Sequence, residues 1–195
     1  MMDIIEKLKV KLESVQDEEL KELVLMLIKQ NASLQKESTI DPLTGLYNRR
    51  ILDSLVKLPT IAIMLDIDNF KMINDTFGHD MGDYVISNIG TILRNNFRSS
   101  DYVLRLGGDE FLILIIDYKN EEFILERCEK VKREIYDMNM VPNHKVTISV
   151  GVAIDNNYNK LDEIIKKADE SLYVSKNNGK NQVTLNDELN NCVLK

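Results

Sequence analysis

A chain of 195 residues, 44% hydrophobic and 29% charged, has the size and composition of one globular domain plus an appendage, with enough apolar residues to bury a core. Its formal net charge of -7 disfavours a broad electrostatic surface for nucleic acid or an anionic membrane, yet a local basic cluster can still hold a small anion such as a nucleotide. Cys128 and Cys192 have no metal-ligand spacing and read as free thiols, no apolar run approaches the ~20 residues of a membrane span, and the acidic N-terminus is unlike a signal peptide, so the expectation is a cytoplasmic protein with no membrane span and no nucleic-acid partner.

Residues 1–38 contain no proline or glycine, and apolar residues recur at helical spacing: Ile5, Leu8, Leu12 and Val15, then Leu20, Leu23, Leu27 and Leu34. The phase breaks near Gln16-Asp17-Glu18-Glu19, and the stripe of Leu20, Leu23, Val24, Leu27 and Ile28 is wider than a dimeric seam requires. The segment is expected to be a coiled-coil-like dimerisation element, with a helix folded back on its own domain as the alternative. Pro42 and Gly45 end the helical pattern, and a second domain is expected over 39–186, followed by a flexible tail over 187–195.

Within that domain a short helix is expected from Arg49 to Val56. The continuous apolar run Ile61-Ala62-Ile63-Met64-Leu65 reads as a central strand buried on both faces, leaving through Asp66-Ile67-Asp68. A short helix from Phe70 to Thr76 follows, then a turn over Gly78–Asp83, and a helix from Asp83 to about Asn96. Two strands, Tyr102-Val103-Leu104 and Phe111 to Ile116, flank Gly107-Gly108-Asp109-Glu110 as a hairpin. A helix over about Glu121–Met138 carries Phe123, Ile124, Cys128, Val131 and Ile135 as its buried stripe. A strand over Val146–Ala153, a helix over about Leu161–Lys176 and a short strand over Gln182–Leu185 complete the order. Strands alternating with helices around an antiparallel hairpin predict an α+β, ferredoxin-like palm: a mostly antiparallel sheet of about five strands flanked by helices.

That topology can bring the end of the first strand beside the hairpin, so that Asp66 and Asp68 join Asp109 and Glu110 at one edge of the sheet. Several carboxylates together repel and call for a cation, and an all-oxygen set suits Mg²⁺ or Mn²⁺. Mg²⁺ bound by few carboxylates fills its shell with water and phosphate oxygens, which makes Lys71, Lys176 and Lys180 candidates for phosphate contacts. Asn74, His79 and Asp83 are candidates for reading a base, because a carboxylate accepts from the N1–H and N2–H₂ edge of guanine.

The successive motifs Asp41-Pro42-Leu43-Thr44-Gly45-Leu46-Tyr47-Asn48-Arg49-Arg50, Asp66-Ile67-Asp68-Asn69-Phe70-Lys71 through Gly82-Asp83, Arg105-Leu106-Gly107-Gly108-Asp109-Glu110-Phe111, Thr147 through Ala153, and Ala168-Asp169-Glu170-Ser171-Leu172-Tyr173 resemble the GGDEF domain of bacterial diguanylate cyclases. The resemblance runs co-linearly from about Asp41 to Thr184. It implies condensation of two GTP, one per subunit of a homodimer, to cyclic di-GMP and two pyrophosphates. It also implies Mg²⁺ (or Mn²⁺) on Asp66, the Ile67 carbonyl and Asp109. Guanine recognition falls to Asn74 and Asp83, a substrate-binding position to His79, charge stabilisation to Lys71, and triphosphate contacts to Lys176 and Lys180. The family usually carries arginine where Lys180 stands, so a point charge replaces a bidentate fork. Gly107 and Gly108 allow close backbone approach to the nucleotide. Asp109 or Glu110 could accept the proton of the attacking hydroxyl, and the sequence leaves open which. Arg98-Ser99-Ser100-Asp101 matches the R-x-x-D product-inhibition site of many members. A non-catalytic cyclic di-GMP receptor acting through Arg98 and Asp101 is the alternative, against which the intact Asp66, Asp83, Asp109 and Glu110 speak.

Overall fold

The computed structural model describes residues 20–28, 39–55, 59–116, 121–154, 160–186 and 193–194, in two units divided between Ile40 and Asp41. Of the first unit, residues 20–28 are helical, and Leu20, Leu23, Leu25, Met26 and Leu27 are exposed in the single chain. The heptad positions Ile5 to Val15, Leu34 and the phase break at Gln16–Glu19 lie outside the described residues, as does Cys192.

In the second unit, the first element is a two-residue strand, β1 (Tyr47–Asn48), followed by a 3₁₀ helix over Arg49–Ser54. The Asn48 side chain accepts from the Arg50 N–H at 2.9 Å and so starts that helix. β2 (Ile61–Ile67) is buried at every position, as its unbroken apolar run requires. α1 (Phe70–Phe77) and α2 (His79–Asn96) follow, then β3 (Tyr102–Gly107) and β4 (Glu110–Ile115). The chain continues through α3 (Glu121–Asp137), β5 (Ile148–Ile154), α4 (Leu161–Asn177), β6 (Val183–Asn186) and β7 (Val193–Leu194). Among the described residues one sheet has the order β1-β3-β4-β2-β5-β6-β7. Its four central strands, β3-β4-β2-β5, are antiparallel throughout and give the expected ferredoxin-like α+β core. β1 and β6 add to it in parallel.

Alternation along β2 explains why both faces need helices. Ile61, Ile63, Leu65 and Ile67 join Val85, Ile86, Ile89, Cys128, Val131 and Ile135 under α2 and α3. Ala62 and Met64 join Leu112, Leu114, Ile164, Ala168 and Leu172 under α4. Burial pushes the Cys128 thiol up to about 12, which makes it an inert core residue.

Four features differ from the sequence reading. α2 begins at His79, not at Asp83, so the expected turn over His79–Asp83 is already helical: Gly78 (φ +86°) reverses the chain and the helix starts without a side-chain cap. Phe123 is 37% exposed, not buried, because it lies under the Arg127 guanidinium at 4.4 Å rather than against the core. β1 pairs with β3, and the expected tail contributes β7, which pairs antiparallel with β6. Two-residue strands carry no periodicity to read.

Candidate active site

The β2–β4 register sets Asp66 directly opposite Glu110, and the Ile67 N–H donates to the Asp109 carbonyl at 3.3 Å. Asp66 continues the Ala62, Met64 row, so its side chain lies on the face covered by α4. There the Lys176 ammonium reaches the Asp66 Oδ2 at 2.8 Å. Gly151 makes this reach possible. It lies under α4, where a Cβ would stand 2.1 Å from the Leu172 nitrogen and 2.2 Å from the Ala168 carbonyl oxygen, and Lys176 is one helical turn beyond Leu172. The Ser175 hydroxyl fixes the same end of α4 to the Val150 carbonyl and to the Thr184 hydroxyl, each at 2.7 Å.

Asp66 is buried, and burial is the largest cause lifting its pKa above the ordinary carboxylate value. The Lys176 hydrogen bond and charge oppose the rise, while the charges of Asp109 and Glu110 add to it. The net direction is upward even with the Lys176 ion pair in place. Among the described residues no three His, Cys, Asp or Glu side chains close into a metal cage. What stands here is an edge of carboxylate oxygens with one ammonium beside it, a donor set that suits a hard cation taking its remaining ligands from phosphate and water.

Asp68 is not part of that edge charge. It is buried, and its oxygens accept from the Ser149 hydroxyl at 2.6 Å, the Thr147 hydroxyl at 2.8 Å and the Asn181 N–H at 3.0 Å. Expecting four carboxylates to share the edge overlooked these hydroxyls, which come from β5 and its approach and are distant in sequence. Lys180, in the loop after α4, hydrogen-bonds the Asn69 Oδ1 at 2.5 Å.

The hairpin turn needs its glycines for conformation rather than packing. Gly107 and Gly108 have φ +154° and +54°, and a Cβ on either would meet nothing within 4 Å. Arg105 braces the turn: its Nε and Nη2 donate to the Gly108 carbonyl at 3.0 and 2.9 Å, and its Nη1 lies 3.3 Å from the Asp41 Oδ2. Asp41 in turn accepts from the Thr44 N–H at 2.9 Å and hydroxyl at 2.7 Å, and Arg94 of α2 donates to the Thr44 carbonyl at 2.5 Å. Both arginines lie in or near motifs legible in the sequence, but only the folded contacts reveal the brace.

On α1 and α2, Asn74 and Gly82 are in close contact. A Cβ on Gly82 would fall 1.9 Å from the Asn74 Oδ1, and that buried amide oxygen has no hydrogen-bond partner in the protein. Native structures seldom leave a buried polar atom orphaned. Lys71, His79 and Asp83 are exposed. Away from this edge, the Asp101 carboxylate is buried and accepts from the Arg98 backbone N–H at 2.8 Å, while the Asp101 N–H donates to the Arg98 carbonyl at 3.0 Å. A concavity of about 1030 Å³ between the end of α2 and α3 is lined by Asn96, Phe123, Arg127, Lys130 and Arg133 among others. It lies apart from the acids of β2 and β4.

The family model described as "Diguanylate cyclase, GGDEF domain" matches residues 38–182. The chain belongs to this family. It is 35% identical over 165 residues to the diguanylate cyclase DosC of Escherichia coli (strain K12), covering 76% of this chain and 35% of that protein. It is 38% identical over 159 residues to the response regulator PleD of Caulobacter vibrioides (strain NA1000 / CB15N), covering 73% and 35%. The chain thus spans about a third of the length of these curated relatives. Among solved structures, the GGDEF domain of DgcB from Caulobacter crescentus in complex with c-di-GMP superposes with a TM-score of 0.68 at 28% identity, covering 76% of this chain and 95% of that one. The diguanylate cyclase SiaD in complex with its activator SiaC from Pseudomonas aeruginosa gives 0.71 at 30% identity, covering 92% and 73%. Among the described residues no helix is long and apolar enough to cross a membrane.

Proposed function

We propose that this chain condenses two GTP molecules into cyclic di-GMP and two pyrophosphates, with one GTP held by each subunit of a homodimer in the cytoplasm. The observation that carries the reading is Asp66: a buried carboxylate opposite Glu110, close enough to Asp109 to be lifted by its charge, and met by the single ammonium of Lys176. Asp66, the Ile67 carbonyl and Asp109 would hold Mg²⁺ (or Mn²⁺), which neutralises charge on the bound phosphates. Lys176 and Lys180 contact the triphosphate, and Lys71 offsets charge that develops during transfer. Asn74 and Asp83 recognise the guanine edge, His79 adds a substrate contact, and the open space at Gly107 and Gly108 admits the nucleotide.

The 3′-hydroxyl of one GTP attacks the α-phosphorus of the other. A phosphorus–oxygen bond forms, the bond to pyrophosphate breaks, and the hydroxyl proton passes to the carboxylate of Asp109 or Glu110. Repeating the step in the opposite sense closes the ring. Because each subunit holds one substrate, residues 1–38 serve to dimerise the chain and raise the effective concentration of the two sites. The exposure of Leu23 and Leu27, 57% and 56% in the single chain, supports that role.

Purified protein incubated with GTP and Mg²⁺ is expected to yield cyclic di-GMP by nucleotide chromatography. Binding of the dinucleotide without turnover would instead identify a receptor acting through Arg98 and Asp101. Light scattering with and without residues 1–38 tests the dimer. Product inhibition through Arg98 and Asp101 predicts that Arg98→Ala relieves inhibition by added cyclic di-GMP, and unchanged inhibition would exclude that site.

A further inference from the structure

Asp68 is a buried carboxylate that the proposed reaction does not use, 4% exposed and hydrogen-bonded by neutral groups: Ser149, Thr147 and the Asn181 N–H. A buried carboxyl group needs hydrogen bonds to offset its lost hydration, and those bonds also fix the groups that donate them. Asn181 closes a loop in which Gly179, Lys180 and Asn181 all have positive φ, at +107°, +64° and +49°. Asparagine enters that region readily, but a lysine there needs surrounding structure to hold it. Three bonds do so: the Asp68 carboxylate to the Asn181 N–H, the Lys180 N–H to the Ser175 carbonyl at 3.0 Å, and the Lys180 ammonium to the Asn69 amide oxygen. Two of the three originate in the Asp68-Asn69 turn, immediately after the strand that carries Asp66.

We propose that Asp68 is a positioning residue that anchors the 178–181 loop, so that Lys180 stands beside the Asp66 edge where nucleotide phosphates bind, and that it is not itself a metal ligand. The inference rests on the reading of Lys180 as a triphosphate contact. The two lysines of this region are prepared differently. Lys176 already pairs with a carboxylate, whereas Lys180 rests on the neutral oxygen of Asn69 and keeps its whole charge for an incoming phosphate.

Asp68→Ala leaves the Asn181 N–H without its acceptor. Amide hydrogen exchange across 177–182 in the nucleotide-free protein should rise about tenfold, and the KM for GTP should rise about tenfold with kcat within about threefold of wild type. The Mg²⁺ concentration for half-maximal rate should not move. Asp68→Asn, which keeps an oxygen for Asn181, should restore both exchange and KM. A shifted Mg²⁺ midpoint, absence of rescue by asparagine, or unchanged exchange in Asp68→Ala overturns the proposal. The exchange measurement needs no turnover, so a wild-type protein that makes no cyclic di-GMP would refute the proposed function while the anchoring of the loop is still decided. Should Asp68→Ala fail to fold, Thr147→Val, which removes one hydroxyl donor, carries the same comparison with a rise of about threefold in exchange.

Discussion

Two aspartates flank the hairpin turn and are driven in opposite directions. Burial pushes Asp41 up, but hydrogen bonds from Thr44 and the charge of Arg105 outweigh it and hold its pKa below the ordinary carboxylate value. Burial pushes Asp66 up as well, Asp109 and Glu110 add their repulsion, and Lys176 does not offset the sum. Asp41 is structural: through Arg105 it fixes the Gly108 carbonyl and hence the turn. Asp66 keeps its ion pair with Lys176 at 2.8 Å, yet burial and its acidic neighbours leave its pKa raised. The acid that braces the frame has its pKa lowered, and the acid at the edge proposed to take the cation has its pKa raised.

The largest effect should come from the working side. Asp109→Ala removes one of the two carboxylates proposed to hold the cation, and turnover of GTP is expected to fall by about 10²-fold or more with little loss of thermal stability. A variant with wild-type rate would break the contrast, because the edge charge would then have no catalytic use. Gly82→Ala extends the same logic to the orphaned amide of Asn74. The new methyl must displace the Asn74 Oδ1, at a cost of about 1–3 kcal/mol in stability, and the KM for GTP should rise about tenfold. Comparison with ITP, which lacks the 2-amino group, sharpens this: a loosened guanine site should narrow the preference for GTP. Arg105→Ala acts from the bracing side, so kcat is expected to fall only about fivefold as the turn loses its hold, with the Mg²⁺ midpoint unchanged.

Much of this arrangement was legible in the chain. The apolar run ending in Asp66, the paired glycines before two acids, and the alternation of strands and helices suffice to predict a ferredoxin-like core with acids at one edge, because period and turn chemistry are local signals. The contacts that distinguish the acids were not legible. Lys176 reaches Asp66 only because Gly151 admits α4 against β5, and Asp68 is satisfied by hydroxyls from Thr147 and Ser149 far along the sequence. Two aspartates two apart, one at the end of β2 and one in the turn after it, read alike until distant segments supply the neighbours. The start of α2 at His79 escaped for a different reason: Gly78 signals a turn, and nothing in the sequence marks how soon the helix resumes.

The smallest predicted effect isolates the bracing side by pH. A carboxyl whose folded pKa is depressed contributes stability that is fully present above its unfolded value, and that contribution is lost as pH falls through the folded one. Asp41 has an ordinary value of 3.8 and is lowered in the fold, so its share should be intact at neutral pH and disappear only below about pH 3.8. Asp41→Asn keeps an oxygen for Thr44 but loses the charge facing Arg105. With the side chains of both Asp41 and Arg105 15% exposed, solvent screening limits the difference to about 1 kcal/mol. Denaturant unfolding at pH 7 should therefore find the variant less stable by that amount, and the two proteins should converge as the pH drops through the depressed value. If the difference persists undiminished at low pH, the Arg105–Asp41 contact stabilises through packing rather than charge, and the electrostatic half of the contrast with Asp66 would not hold.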